Sequence, residues 1–368
     1  MLRLRLLTEG VVVNSRAATA WRDTFAGPLT LGEYATTAGV SLRLEGGLFA
    51  NAPVCARTED SVELDYDGCR FVLNDGSGVV RVWPVPVPGW VERRQIDRMD
   101  GVERPYSSFG VTHSDRCRVS PIAGCAWTCK FCELPYELRY RRKHELDLLE
   151  VVKAAAVDQV TPARHVLVSG GTPRSSDEPW FDGVLATIAE RSPIPVDVMM
   201  PARTSIDYPR WLRSVGVNSV SVNLEIFDKD RARALMPRKA RLGRDHFLKF
   251  IEAAVDAFGV GFVQSLVLVG SAIEPIGSTI HGIRALADRG CIPVLSPFRP
   301  HLSTPLASAA PVTLRESVAA LEAAEEACSA SGSGVRPGPR CVACHHNTIA
   351  SADGDPFYCY ADDDLTLR

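Results

Sequence analysis

Hydrophobic and polar positions divide the chain into two regions. Up to about residue 90, short segments alternate apolar and polar residues, as in Val40-Ser-Leu-Arg-Leu-Glu and Ser61-Val-Glu-Leu-Asp-Tyr. Such alternation is typical of strands that bury one face, and Asn74-Asp-Gly-Ser-Gly is a turn sequence beside a further run. We therefore predict a β-rich accessory module over residues 1–90. It would cover one end of the remaining fold or, alternatively, gate the substrate.

The second region alternates continuous apolar runs with helical patterns. His165-Val-Leu-Val and Gly261–Val269 are typical of strands buried on both faces, whereas Asp245–Phe258 has the period of an amphipathic helix. Six such units predict an α/β fold with a parallel sheet covered by helices. We predict a linker over residues 91–115, a core over 116–310, and a C-terminal helix with a cysteine-rich extension over 311–368.

Composition narrows the function classes. The 368 residues are 46% hydrophobic and 23% charged, which is ordinary for a globular protein. A net charge of −3 gives no electrostatic reason to expect nucleic acid or a membrane surface as partner. We find no apolar run that could span a bilayer and no signal peptide, so we expect a cytoplasmic location. In that reducing compartment, the eleven cysteines favour metal or redox chemistry over disulfides.

Three cysteines at Cx3CxxC spacing follow the first predicted strand of the core. Cys125, Cys129 and Cys132 can converge on one metal centre from a single loop. They would satisfy three irons of a [4Fe–4S] cluster and leave the fourth open to a non-protein ligand. Phe131 could shield such a cluster from water. Zinc is the alternative for closely spaced cysteines, but no fourth protein ligand follows within the loop.

This loop resembles the signature of the radical S-adenosylmethionine (radical SAM) superfamily. The resemblance implies a partial (β/α)6 barrel and S-adenosylmethionine chelated to the open iron. It also implies that Cys125, Cys129 and Cys132 are catalytic, because one electron from their cluster cleaves the cofactor to a 5′-deoxyadenosyl radical. Flavodoxin or ferredoxin would supply that electron.

Two motifs at later strand ends extend the resemblance. Over about residues 116–306, the chain resembles the lipoyl and biotin synthase-like members of the superfamily. Gly170, Gly171 and Thr172 match a glycine-rich motif that binds the cofactor's amino group, with Thr172 where the family often has an acidic residue. Asn223 and Glu225 resemble a motif that contacts the ribose. The alternative for Glu225 is a helix cap or an ion pair with a nearby arginine.

The fifth and sixth strand ends and a basic loop supply the remaining candidates. Gly270 and Ile273 lie in a stretch similar to one that lines the adenine in these relatives. Arg238, Lys239, Arg241 and Arg244 form a basic loop, and we expect one of them to bind the carboxylate of the cofactor. Arg241 is the preferred residue of this loop, since arginine binds carboxylates bidentately. Arg203 is a further candidate for a carboxylate of the substrate or the cofactor. Arg299 and His301 lie in a stretch similar to one in lipoyl synthases, and we expect them to face the substrate.

A second cysteine cluster, Cys341, Cys344 and Cys359, lies near the end of the sequence. A CxxC pair with a third cysteine and adjacent histidines is a metal-site pattern. We expect an auxiliary [4Fe–4S] cluster, and the alternative is a zinc ion that also uses His345 or His346.

The sequence thus predicts a radical SAM enzyme that abstracts hydrogen from a small-molecule substrate. The preferred outcome is sulfur insertion or C–S bond formation that draws on the auxiliary cluster. A rearrangement, elimination or dehydrogenation, with that cluster as electron relay, is the alternative. A zinc-binding scaffold protein is the alternative from another class.

Overall fold

A computed structural model describes residues 1–25, 29, 39–85, 87–113, 115–159, 161–340 and 343–350. All structural statements below refer to these residues. Among them, no helix has both the length and the apolar character needed to cross a membrane.

The first part of the chain forms a six-stranded sheet with two helices. The sheet has the strand order β1-β4-β5-β6-β2-β3, in which only the β1–β4 pair is parallel among the described strands. Its elements are α1 (Leu2–Thr8), β1 (Val12–Val13), α2 (Ser15–Thr24), β2 (Val40–Leu44), β3 (Phe49–Ala52), β4 (Glu63–Tyr66), β5 (Phe71–Asn74) and β6 (Val79–Pro84).

Neither helix of this part was predicted. The N-terminal leucines and arginines alternate as in a strand, but leucine and arginine are good helix formers and α1 buries four of its seven residues. Helix α2 begins after Asn14, whose side chain accepts a hydrogen bond from the backbone N–H of Ala17. Such a cap satisfies one of the free N–H groups at a helix start. Capping and burial therefore explain these two helices better than the alternation of residue types.

Six parallel strands form the core sheet, as the sequence predicted. The remaining strands of the chain, in sequence order, are β7 (Arg94–Ile96), β8 (Glu103–Pro105), β9 (Gly110–His113), β10 (Arg116–Val119), β11 (Ile122–Ala123), β12 (Arg141–Arg142), β13 (His165–Val168), β14 (Val196–Met200), β15 (Ser219–Val222), β16 (Val263–Val269) and β17 (Ile292–Pro297). The core sheet has the order β17-β16-β15-β14-β13-β10-β9, in which the additional strand β9 pairs antiparallel with β10 at one edge. Strands β7 and β8 pair with each other, as do β11 and β12.

Helices follow the core strands and pack on the outside of the sheet. They are α3 (Leu134–Glu137), α4 (Glu145–Ala156), α5 (Glu178–Arg191), α6 (Tyr208–Ser214), α7 (Lys229–Leu235), α8 (Arg244–Phe258), α9 (Ile276–Ala287) and α10 (Leu314–Ala330). All residues of β13, β15 and β17 are buried, as expected for strands covered on both sides. The fold is therefore the predicted α/β partial barrel of six strand–helix units.

The structure adds elements that the sequence patterns did not predict. Helix α7 is seven residues long, too short for two full periods of an amphipathic pattern, and it begins where Asp228 accepts hydrogen bonds from the N–H groups of Asp230 and Arg231. The range 91–115, predicted as a linker, contains β7, β8 and β9, and β9 is part of the core sheet.

Arg3 connects the first helix to the last described segment. Its buried guanidinium donates to the carbonyls of Phe49 and Ala350, each 2.8 Å away, and also to those of His345 and Thr348. Ile349 forms an antiparallel bridge with Leu295 in β17. The edge strand β17 is therefore covered by the last described segment, which the N-terminal helix in turn contacts through Arg3.

Candidate functional site

The three cysteines of the first cluster lie on the loop between β11 and α3, at the carboxyl end of the barrel. The Cys125 sulfur accepts hydrogen bonds from the N–H groups of Trp127 and Thr172, at 3.3 and 3.2 Å. The backbone N–H of Lys130 donates to the Leu235 carbonyl at the end of α7, at 2.7 Å. The loop is thus fixed at both ends by neighbouring strand–helix units.

The two glycines after β13 allow the backbone to approach this loop. A Cβ atom at Gly171 would lie 1.8 Å from the Gly124 carbonyl oxygen and 3.0 Å from the Cys125 Cα. Gly170 has φ +129°, and a Cβ there would lie 2.1 Å from the Ser120 hydroxyl oxygen. Both positions therefore require glycine: Gly171 because the neighbouring backbone is too close for a side chain, and Gly170 for this reason and for its positive φ.

A cavity of about 120 Å³, here called the cluster cavity, brings together most of the predicted groups. It is lined by Cys125, Cys129, Phe131, Cys132, Gly170, Thr172, Met199, Met200, Asn223, Glu225 and Lys239, among others. These residues follow or end four different strands, which confirms that the groups meet at the carboxyl end of the sheet. Phe131 packs against an apolar cluster that includes Ile273 and Phe298.

Glu225 forms an ion pair with Lys239 at the edge of the cluster cavity. Its carboxylate lies 2.8 Å from the Lys239 ammonium, and both side chains are mostly buried. Glu225 is also the one non-glycine residue of the described chain with a positive φ, 65°. Its backbone is held by β16, since its N–H donates to Leu266 and its carbonyl accepts from Leu268. An ion pair was the alternative that we considered for Glu225, with a nearby arginine rather than with Lys239.

Asn223 lies beside this pair with its amide oxygen engaged. That oxygen accepts from the Ser221 hydroxyl at 2.8 Å and from the Leu266 N–H at 3.3 Å. Since an amide nitrogen carries two hydrogens, this arrangement orients the Asn223 nitrogen as a donor group in the lining of the cluster cavity. A second cavity of about 310 Å³, here called the side cavity, is also lined by Lys239 and extends toward Arg244 and Phe247.

Gly270 and Ile273 follow β16 and contact the apolar surroundings of the site. Gly270 has φ +151°, and a Cβ there would lie 3.2 Å from the Phe298 Cβ. Ile273 is fully buried, and its carbonyl accepts a hydrogen bond from Arg231 at 2.6 Å. Neither residue is part of the lining of the cluster cavity or the side cavity.

The two arginines that the sequence suggested for the cofactor carboxylate lie outside both cavities. Arg203 forms ion pairs with Glu178 and Asp182 of α5, at 2.6 and 3.1 Å. Arg241 is exposed in a single 3-10 turn. In the same turn Lys239 points inward, so the cation that reaches the cluster cavity is Lys239. Sequence spacing could not select among neighbouring basic residues in so short a turn.

The two predicted substrate residues are separated by the structure. Arg299 is buried, and it donates to the carbonyls of Leu7 at 2.7 Å and Asn51 at 3.0 Å. The prediction that Arg299 faces the substrate is therefore not supported by its position, because its guanidinium binds the N-terminal part of the protein. His301 is half-buried, and its Nδ1 lies 3.6 Å from the Glu137 carboxylate of α3, close to the cluster loop.

The donor set of the cluster cavity fits an iron–sulfur cluster. Three cysteine sulfurs from one loop line one cavity, and a phenyl ring and buried apolar side chains surround them. Burial raises the pKa of Cys129 to about 12 and also raises the pKa of Cys132. Thiolates in this environment therefore require a positively charged centre beside them, which bound iron would provide.

Of the second cysteine cluster, Cys344 lies within the described residues, whereas Cys341 and Cys359 lie outside them. The buried Cys344 sulfur is 3.3 Å from Nε2 of His165, the first residue of β13. The other ring nitrogen, Nδ1, is 2.9 Å from the Asp197 carboxylate in β14. Burial alone would lower the pKa of His165, but Cys344 and Asp197 raise it to about 10. This group lies at the amino end of the barrel, away from the first cluster.

Sequence reasoning did not identify His165 or Asp197 as functional candidates, and it named Lys239 only as one of four basic residues in a loop without selecting it. A signal was available for the first two, since a polar residue near the start of a buried strand must find a partner. The zinc ligands predicted beside the C-terminal cysteines were His345 or His346, which are adjacent to Cys344 in sequence. His345 instead forms a hydrogen bond with the Pro339 carbonyl.

Residues 119–281 match the model of the radical SAM superfamily. This segment contains the three loop cysteines, both glycines and the Glu225–Lys239 pair. A search of curated protein sequences finds no match to the chain.

Solved structures with similarity to the chain are those of a radical SAM methyltransferase, a hydrogenase maturase and a methylornithine synthase. The methyltransferase, from Sphaerobacter thermophilus, is 17% identical with a TM-score of 0.49, and the alignment covers 67% of this chain and 74% of that one. HydG, a maturase of the [FeFe]-hydrogenase, is 14% identical with a TM-score of 0.47 and coverages of 58% and 49%. Methylornithine synthase (PylB) is 17% identical with a TM-score of 0.45 and coverages of 58% and 62%. The chain thus spans about half the length of the maturase.

Proposed function

We propose that the chain, of which residues 119–281 match the model of the radical SAM superfamily, is a radical SAM enzyme that abstracts hydrogen from an unactivated carbon of a small-molecule substrate. The observation that carries this proposal is the cluster cavity, in which three loop cysteines face polar groups from the ends of β13 and β15. Flavodoxin or ferredoxin is the proposed source of electrons. The likeness to lipoyl and biotin synthases remains a prediction.

Cys125, Cys129 and Cys132 would hold a [4Fe–4S] cluster, which when bound supplies the electron that cleaves S-adenosylmethionine to the 5′-deoxyadenosyl radical. The protein's contribution is to keep this loop in place. The N–H groups of Trp127 and Thr172 donate hydrogen bonds to the Cys125 sulfur, which fix its position. Phe131 and its apolar neighbours limit access of water to the same region.

Polar groups around the cluster cavity would position S-adenosylmethionine. The backbone at Gly170, Gly171 and Thr172 can approach a ligand closely, since two of these residues lack side chains. Asn223 and Glu225 are the proposed partners of the ribose hydroxyls. Gly270 and Ile273 do not line the cluster cavity, so they would support the adenine indirectly, through the apolar cluster of Phe131, Ile273 and Phe298.

Lys239 would bind the carboxylate of the cofactor, in place of the two arginines that the sequence suggested. It lines both the cluster cavity and the side cavity, and it is the cation nearest to Glu225. Binding of a carboxylate here would weaken the Lys239–Glu225 pair. Glu225 would then be free to accept hydrogen bonds from the ribose. Entry of the cofactor would thus replace the ion pair by two contacts with the ligand, one from Lys239 and one from Glu225.

The position of Cys344 favours a rearrangement, elimination or dehydrogenation over sulfur insertion. A sulfur donor must contact the substrate radical, which forms beside the cluster cavity. Cys344 instead contacts His165, at the amino end of β13, whereas the cluster cavity lies beyond the carboxyl end of the same strand. Sulfur insertion from the tail remains the alternative, and loss of sulfide from the protein in a single turnover would support it.

Quantification of 5′-deoxyadenosine tests the proposed chemistry. Anaerobically reconstituted protein with S-adenosylmethionine and a chemical reductant should form this product and contain about four irons per chain. The Cys125→Ala/Cys129→Ala/Cys132→Ala variant should lose both properties. Cys69→Ala serves as the control, because Cys69 is exposed in a turn of the N-terminal module. Product formation by the triple variant, or colourless wild-type protein loaded with zinc, would contradict the proposal.

A further inference from the structure

Three buried side chains with metal-binding atoms meet at the amino end of the barrel. Asp115, His165 and Cys344 are 0%, 5% and 3% exposed, and one ligand atom of each lies within 4.8 Å of the other two. They come from the residue before β10, the first residue of β13 and the last described segment. We propose that these three residues bind a zinc ion that fastens the C-terminal segment to the barrel.

The arrangement of the strands explains why the first two ligands are adjacent. Arg116 and His165 are register partners in the parallel β10–β13 pair, so Asp115 and His165 lie at the same end of neighbouring strands. The Asp115 carbonyl accepts a hydrogen bond from the Arg164 N–H at 2.8 Å, which fixes the backbone on both sides. Two of the three ligands therefore belong to the rigid sheet, as a precise metal site requires.

The distance between the two softer ligands agrees with zinc. Tetrahedral coordination with a Zn–S bond of about 2.3 Å and a Zn–N bond of about 2.0–2.1 Å separates sulfur and nitrogen by about 3.6 Å. The Cys344 sulfur and the His165 Nε2 are 3.3 Å apart. The two atoms would need to move apart by only about 0.3 Å to accept the ion between them.

Asp197 orients the imidazole of His165 for metal binding. A carboxylate can only accept hydrogen bonds, so the His165 Nδ1, at 2.9 Å from Asp197, carries the hydrogen. Nε2, at 3.3 Å from the Cys344 sulfur, would therefore be the nitrogen that binds the metal, and the metal would replace any proton there. The other Asp197 oxygen accepts from the Ser219 hydroxyl at 2.7 Å and from Asn218 at 3.3 Å, which holds the carboxylate in place. Such a carboxylate behind a histidine is the usual support of a metal-bound imidazole.

The donor atoms favour zinc over an iron–sulfur cluster at this position. Iron–sulfur clusters take mainly cysteine thiolates, whereas one sulfur, one nitrogen and one oxygen form a mixed set that zinc accepts. A divalent ion would also balance the charges of one thiolate and one carboxylate buried together. Three protein ligands leave one position of the tetrahedron for a further ligand.

The location indicates a structural role. Groups at the amino end of barrel strands serve stability, whereas catalysis takes place at the carboxyl end. A cavity of about 100 Å³ next to the proposed site is lined by residues of all six parallel core strands and by the segment around Cys344, and Met199 also lines the cluster cavity. The zinc ion would close the barrel interior below the cofactor site by holding the segment around Cys344 in place.

Metal analysis of the full-length protein tests this inference without reference to catalysis. Anaerobically purified wild type, supplied with zinc sulfate and then desalted, should retain about one zinc per chain. His165→Asn and Cys344→Ser should lose this zinc, while the iron bound by Cys125, Cys129 and Cys132 remains. The control Cys291→Ser changes another fully buried cysteine and should retain zinc.

Two further measurements separate loss of the ligand from loss of the fold. His165→Cys supplies a different zinc ligand at the same position and should recover zinc that His165→Asn loses. Cobalt in place of zinc should give a thiolate-to-metal absorption band that Cys344→Ser abolishes. Wild type without bound zinc, retention of zinc by His165→Asn, or loss of iron with the His165 variant would each contradict the inference. So would rapid alkylation of Cys344 in zinc-treated native protein, because a bound thiolate is protected.

Discussion

The ammonium of Lys239 lies 2.8 Å from the carboxylate of Glu225, between two cavities that both include Lys239 in their lining. Removal of one partner leaves a mostly buried charge, which costs about 3–5 kcal/mol of stability. We therefore expect Lys239→Met and Glu225→Gln each to lower the free energy of unfolding by about this amount, as denaturant titration would measure.

The double variant Lys239→Met/Glu225→Gln separates folding from cofactor binding. It should regain much of the stability, because neither charge remains, but it should bind S-adenosylmethionine at least about tenfold more weakly than wild type, about 1.4 kcal/mol. Equilibrium binding to the reconstituted protein measures this loss. A double variant that binds the cofactor as wild type does would exclude both residues from the binding site.

Gly171→Ala should disrupt the loop of the first cluster. The new Cβ would lie 1.8 Å from the Gly124 carbonyl, and its neighbours are backbone atoms that cannot rotate away. We expect iron content and formation of 5′-deoxyadenosine to fall together. Gly183→Ala is the matched control, because a Cβ there meets no atom within 4 Å and alanine favours the helix. Full iron content in Gly171→Ala would show that the loop tolerates displacement.

Arg299→Met should lower stability and leave the affinity for the substrate unchanged. The buried guanidinium donates to the carbonyls of Leu7 and Asn51, and hydrogen bonds from charged groups contribute about 1.5–3 kcal/mol each. We expect a loss of at least about 2 kcal/mol in the free energy of unfolding. Arg284→Met, which removes an exposed ion pair with Glu326, should cost less than about 1 kcal/mol. A changed KM with unchanged stability would instead support the substrate role predicted from the sequence.

Lys143 makes stability depend on pH. Burial, together with the neighbouring Arg141 and Arg118, lowers its pKa to about 7 from the ordinary value of 10.5. Between these two values the unfolded chain binds a proton that the folded protein does not, so stability rises as pH rises from about 7 to about 10.5. Lys143→Met removes this contribution. The variant should therefore gain more stability relative to wild type at about pH 6 than at about pH 9. An equal difference at both values would contradict this explanation.

Residues at the carboxyl ends of the core strands could be predicted because the strand pattern itself locates them. Once buried strands alternate with helices, polar residues that follow each strand must gather on one side of the sheet. Cys125, Gly170 and Asn223 were found in this way, and the structure brings them to one cavity. Their individual roles toward the cofactor remain predictions.

The groups that could not be predicted depend on contacts that no local pattern encodes. Cys344 meets His165 across 179 residues, and Arg299 meets Leu7 across 292. Lys239 and Arg241 are two residues apart in one turn, yet one is buried and the other exposed. In each of these cases, the partner of the side chain is determined by how segments distant in sequence pack together.

The hydrogen bonds of Arg3 have a consequence for synthesis on the ribosome. Its guanidinium donates to the carbonyl of Phe49, which is translated early, but its acceptors on His345, Thr348 and Ala350 follow Arg3 by more than 340 residues and are translated late. Until then a charged group that is buried in the native state lacks most of its acceptors, so the first helix can reach its final position only late. Nascent chains released before that point would keep this helix exposed, and chaperones or proteases could distinguish them from finished molecules.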